Sequence, residues 1–169
     1  MAGSLVQVAT STVTSATAGV TLTGIDDDSV YMCVVSNVAP TTDGATPYFR
    51  VTKSGTADTT ANYDYAVKQL RADAGFSNNA EVNITMWKSN DVGTSTQEVL
   101  NQILYLYNFN LSSAYSFMQQ EISQRSASGL FRGRQGGAVH TVASASDGMY
   151  FYMSSGNIAS GTFTLYKVV

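Results

Sequence analysis

Asp26, Asp27 and Asp28 stand side by side in GIDDDS, the most acidic spot of a 169-residue chain. Clustered carboxylates can gather the oxygen ligands that a hard cation such as Ca²⁺ requires. Adjacent positions of an extended chain point to opposite faces, however, and no glycine-spaced ligand loop follows. A solvated turn between two strands is the first reading of these residues, and a metal site is the weaker alternative.

Other chemistry-bearing residues are few. His140 is the sole histidine, in AVHTVAS, and the hydroxyls around it lack the spacing of a nucleophile elbow, so no catalytic triad is expected. Zinc needs several His or Cys ligands, whereas this chain has one of each, His140 and Cys33. Cys33 lies in the apolar run VYMCVV, where a buried structural thiol is the natural state. The segment GRQGG at 133–137 is glycine-rich but lacks the spacing of a phosphate-binding loop, and no helix follows it. Asp64, Asp73, Glu81, Glu98 and Glu121 would have to converge in space to make an acid–base pair, and their spacing does not favour it. The expectation is a protein without enzymatic activity and without a cofactor.

The one basic concentration, Arg125, Arg132 and Arg134, falls in SQRSASGLFRGRQGG, whose composition predicts a long exposed loop over 123–137. Guanidinium groups in such a loop suit bidentate contact with acidic side chains of another protein. Leu5 and Val6 form a second candidate contact. They belong to residues 1–17, a Ser/Thr/Val-rich stretch that reads as an arm or first strand able to pair with a neighbour's sheet edge. Tyrosines recur at alternate positions, as in Tyr63/Tyr65, Tyr105/Tyr107 and Tyr150/Tyr152, and serve either as core or as exposed stacking surfaces.

What must position these residues is a sheet structure. Charged residues are only 12% of the chain, and 39 residues are Ser or Thr. Thr- and Tyr-rich sequences suit a pleated, half-buried surface. Net charge is −3 and the pI is near 4.9, which leaves no electrostatic footprint for nucleic acid. No run reaches the roughly 18 apolar residues of a membrane span, and no secretory pattern opens the chain, so synthesis in a cytoplasm is expected.

Alternation between turn residues predicts strands at 5–10, 18–24, 30–37, 48–53, 63–72, 81–88, 98–110, 115–123, 139–143, 149–154 and 162–168. Residues 18–169 then form one all-β domain, whose strand spacing suits a sandwich or barrel better than βαβ units. The 98–110 strand is apolar on both faces and belongs in a sheet centre, whereas 115–123 keeps neither parity apolar and suits an edge or a bulge. Helical spacing also fits 63–72, though a strand is preferred. The 149–154 and 162–168 strands read as a hairpin, with Gly156, Asn157 and Gly161 available for positive φ in the turn.

The runs VHTVASASDGMYFYMSSGNIASGTFTLYKVV, TLTGIDDDSVYMCVVSNVAP and VLNQILYLYNFN resemble small virion proteins of tailed bacteriophages, particularly those of cyanobacterial and marine hosts. The likeness extends through most of 18–169. It implies an all-β fold, an antiparallel β-sandwich of jelly-roll type, and a decoration, or cement, subunit that forms a homotrimer on the capsid exterior and binds the major capsid protein, after synthesis in the host bacterial cytoplasm. Similar terminal segments in tail-fibre heads imply the alternative, a glycan-recognising receptor-binding head, with Tyr107 and Asn108 as site candidates.

Overall fold

A computed structural model describes residues 3–169. Its strands are β1 (Leu5–Val13), β2 (Gly19–Thr23), β3 (Tyr31–Pro40), β4 (Pro47–Lys53), β5 (Thr56–Ala57), β6 (Tyr63–Arg71) and β7 (Gly75–Ile84). These are followed by β8 (Trp87–Lys88), β9 (Leu100–Tyr107), β10 (Ser116–Arg125), β11 (Phe131–His140), β12 (Gly148–Met153) and β13 (Ile158–Val168). No helix occurs among the described residues. One sheet has eight strands in the order β1-β13-β3-β9-β10-β11-β6-β7. The other has five, β2-β12-β4-β5 with β8 also on β4, and the strand pairs of both sheets are antiparallel. The two pack face to face as a β-sandwich.

Alternation explains which side chains fill the space between the sheets. In β9, Leu100, Gln102, Leu104 and Leu106 point inward, while Asn101, Ile103, Tyr105 and Tyr107 form the half-buried outer parity. Flanked by β3 and β10, this strand has the central place its doubly apolar pattern requires. Aromatic contacts join the layers. Phe151 of β12 meets Phe163 of β13 at 5.1 Å, and Trp87 of β8 meets Tyr63 of β6 edge-on at 5.2 Å. Cys33 is fully buried in β3, paired with Leu165 and Leu104, and burial pushes its thiol pKa up.

Residues 63–71 are a strand, the preferred alternative. Four expectations need correction. The 115–123 segment is no edge: β10 pairs with β9 and β11 without a register shift, and Ser116, Met118, Gln120, Ile122 and Gln124 all point inward. Of the inward polar side chains, Gln124 reaches a loop, its Nε2 donating to Asp91 O at 2.6 Å.

The exposed loop expected at 123–137 is also absent. Only 126–130 links β10 to β11, since the glycine-rich half of that segment is a strand between β10 and β6. A Cβ at Gly136 would come within 2.4 Å of Ala66 O, so the glycine lets β6 approach closely.

The 81–88 segment divides between sheets, β7 in one and β8 in the other. Lastly, β12 and β13 are not a hairpin. β12 pairs with β2 and β4, whereas β13 pairs with β1 and β3. Residues 154–157 carry the chain across the sandwich, with Gly156 at φ +67° against Thr41 and Thr42. In β13, Phe163 and Leu165 face the core as their spacing predicts.

Candidate interaction face

Large hydrophobic side chains that stay exposed among the described residues lie in, or directly beside, strands of the eight-stranded sheet. At one flank are Leu5 and Val6 of β1 with Val168 of β13 and the following Val169. Toward the other are Phe117 of β10, preceded by Tyr115, Phe131 of β11, and Phe76 and Val82 of β7. Phe76 and Val82 are 70% and 67% exposed, well beyond what isolated surface apolars need explaining.

Strand register shows how this outer face is shaped. One row across the sheet runs Tyr105, Gln119, Gly137, Ala66 and Ala80, so its far half carries almost no side-chain volume. The neighbouring row runs Tyr107, Phe117, Val139 and Asp64, with Val82 at the β6–β7 bulge. On the other side stand Glu121, Gln135, Lys68 and Asn78. A groove of about 610 Å³ results, floored by Gly137, Ala66 and Ala80 and walled by Tyr107, Phe117, Val139 and Val82. A second hollow of about 390 Å³ opens on the same face between Val34, Ile103, Leu70 and Phe131. Lys68 Nζ sits 4.4 Å from the Phe76 ring centroid and screens part of its exposed face.

The sequence candidates are distributed differently. Leu5 and Val6 are half exposed at the sheet edge. Arg125 is at the surface, donating through Nε to Gly129 O at 2.7 Å and through Nη1 to Gln97 Oε1 at 3.1 Å. Arg132 and Arg134 are instead interior residues, 7% and 1% exposed. Even parity in β11 sends both side chains into the sandwich. Arg132 donates to Asp73 Oδ1 at 2.6 Å, and Arg71 with Arg132 holds the Asp73 carboxyl well below the usual range. Arg134 donates to Ser89 O at 2.8 Å and lies 4.8 Å over the Tyr65 ring. Neither is a free loop charge.

Asp26, Asp27 and Asp28 form a turn in which the carboxylates of Asp26 and Asp27 are already engaged. Asp26 Oδ1 accepts from Tyr31 Oη at 2.8 Å, and Asp27 accepts from Ser29 N and pairs with Lys167. The Lys167 ammonium and the Ser29 amide hold the Asp27 carboxyl far below its ordinary value. No three His, Cys, Asp or Glu side chains gather into a metal-binding group among the described residues. Asp73 and Glu81 are likewise occupied by cations, the latter by Lys88. Glu98 Oε2 accepts from Ser95 N at 3.2 Å.

The five-stranded sheet presents another kind of outer surface. Tyr150 and Tyr152 stack at 5.3 Å, Tyr48 meets Tyr152 edge-on at 5.5 Å, and the Arg50 guanidinium lies 4.8 Å from the Tyr152 ring.

Sequence reasoning did not single out Phe76, Val82, Phe117 or Ala66, and weighed Gly137 only as part of the glycine-rich segment 133–137. The small-residue run Gly136, Gly137 and Ala138 was the available signal, but only the register places it beside Ala66 and Ala80. No family model, curated protein or solved structure matches this chain.

Proposed function

We propose that this chain is a structural subunit of a tailed-bacteriophage virion, a decoration protein that trimerises on the capsid exterior and stabilises the major capsid lattice. One observation carries the reading: exposed apolar side chains concentrate on the eight-stranded sheet, around an open groove of about 610 Å³. A surface of this kind is suited to being covered by protein. The virion setting comes from the sequence resemblance.

Lattice stabilisation follows from mass action, because a subunit that binds only the assembled shell draws the equilibrium away from dissociation. Repetition over many sites turns a modest contact into high avidity. Particles lacking this protein are expected to lose their genome at lower temperature than wild-type particles, measured by dye release on heating. Equal release temperatures would remove the cement role.

A second reading, a glycan-recognising tail-fibre head, is favoured by the Tyr48, Tyr150, Tyr152 and Arg50 cluster, since flat aromatic faces stack on sugar rings. Immunogold labelling of virions separates the two, with label on the head expected for decoration and label confined to the tail for the rival.

A further inference from the structure

We infer that the inner side of the eight-stranded sheet binds a small monovalent anion, of the size of chloride, between Arg134 and the side-chain amides of Asn90, Gln102 and Gln120. The site lies inside the subunit and does not depend on what covers the outer face.

Its residues come from three neighbouring strands and one loop. Register sets Gln102 of β9, Ile122 of β10 and Arg134 of β11 in one inward row. Gln120 stands in the adjacent inward row between Leu104 and Gly136, and the glycine adds no side chain to that space. Ser89, in the loop after β8, ties the flanks together. Its Oγ donates to Gln102 Oε1 at 2.7 Å, and its carbonyl oxygen accepts from Arg134 Nη1 at 2.8 Å. The Gln102 amide and the Arg134 guanidinium thus meet at one residue, with Gln120 on the strand between them and Asn90 next to Ser89 in the chain.

Burial is nearly complete. Arg134 and Gln120 are 1% exposed, Gln102 3% and Asn90 7%. Even so, Arg134 Nε and Nη2, Asn90 Nδ2, Gln102 Nε2 and Gln120 Nε2 have no protein partner among the described residues. Each buried donor left unsatisfied forfeits its hydration, and five together would consume a large part of a domain's marginal stability.

Water alone answers this set poorly. In the inward rows from Met118 to Gln124, the unpartnered acceptors are Gln120 Oε1 and Gln124 Oε1, two against the five donor atoms. A water that accepts from two donors still has two hydrogens to place. An anion accepts from every side and neutralises the cation as well. Arg134 otherwise has only Ser89 O and the Tyr65 ring, because Glu81, which accepts from Tyr65 Oη, is already paired with Lys88. Bound there, the ion clips the loop at Ser89 and Asn90 to β9, β10 and β11.

The test is thermal unfolding of the full chain, followed by circular dichroism at constant ionic strength while sodium chloride replaces sodium gluconate, whose anion is too large for the interior. Wild type is expected to gain roughly 3–5 °C for each tenfold rise of chloride above its dissociation constant. Arg134→Met removes the cation and Gln120→Met one amide donor; each is expected to lose most of that gain, and either serves if the other does not fold. In gluconate, Arg134→Met is expected to melt at or above wild type, since the cation is then uncompensated. Arg125→Met takes away a surface guanidinium and is expected to keep the full gain. Crystals grown in bromide are expected to show an anomalous peak beside Arg134 Nε. A wild-type midpoint indifferent to chloride, an Arg134→Met response equal to that of wild type, or bromide absent from the interior would each overturn the site.

Discussion

His140 Nε2 lies 3.4 Å from Oδ2 of Asp58, with the imidazole completely buried against the Tyr63 ring, 4.7 Å between centroids. Burial lowers the histidine pKa below 6.5, and the Asp58 carboxylate pulls the other way without prevailing. Lys53, which pairs with Asp58 at 3.3 Å, adds to the lowering.

A pH dependence follows. Below pH 6.5 the unfolded chain binds a proton at His140 that the folded chain refuses, so this contribution to stability is full above 6.5 and declines as pH falls. For Asp58, burial opposes ionisation, but hydrogen bonds from Thr60 and the Lys53 ammonium outweigh it and hold the pKa at about 2. Its share is present above the unfolded value of 3.8 and is lost as pH drops toward about 2. The melting temperature of wild type is therefore expected to fall as pH drops below about 6.5, and that of His140→Gln to stay flatter over the same range. Parallel curves would disprove the role of the imidazole.

Trp87 anchors the junction of the two sheets. It is fully buried, touches Tyr63 and Phe49, and donates through Nε1 to Asp64 O at 3.2 Å. Truncation to alanine should cost about 3–5 kcal/mol, read from urea denaturation followed by circular dichroism. Trp87→Phe, which keeps most of the packing, should lose much less.

Gly148 starts β12 between β2 and β4, where an added Cβ would stand 1.9 Å from Leu22 O. The neighbour is backbone of a paired strand and cannot give way cheaply. Gly148→Ala is expected to destabilise by about 1–3 kcal/mol or more, visible as a lowered urea midpoint. An unchanged midpoint would mean that the two strands separate more easily than their pairing indicates.

Arg134 tests the distinction between an interior and a surface charge. Its Nε and Nη2 have no protein partner, although the residue is almost wholly buried. Arg134→Met keeps the aliphatic volume and removes a desolvated cation, so its melting temperature is expected at or above that of wild type. Arg134→Ala removes the packing on Tyr65 as well and is expected to melt lower. Were Arg134 an exposed contact residue, both substitutions would leave melting unchanged.

Period-two patterns made much of this architecture readable in advance. Leu104 and Leu106 against Tyr105 and Tyr107 marked a central strand, and Phe163 and Leu165 marked the core face of the last one. Such patterns depend on neighbours along the chain, which is why strand positions and inward faces were legible. Low charge and Ser/Thr/Val-rich edges likewise drew attention to Leu5 and Val6. Arg132 and Arg134 were misread because arginine in a glycine-rich segment has the composition of a loop, and only pairing on both sides of β11 makes it a strand with an inward parity.

An all-β class, many of the strands and the inward faces of the regularly alternating ones, such as β9 and β13, are local properties, and the sequence by itself determined them. Sheet membership was decided only in three dimensions. The hydroxyls of Thr10 and Thr164 approach to 3.0 Å across 154 positions of sequence, and β12 leaves β13 for the opposite sheet although only 154–157 separate them. Pairing of this kind depends on how all the strands share one core, so the groove between Phe117, Val82 and the small residues of β11, β6 and β7 exists in no single segment. It appears when the register sets Gly137 beside Ala66 and Ala66 beside Ala80.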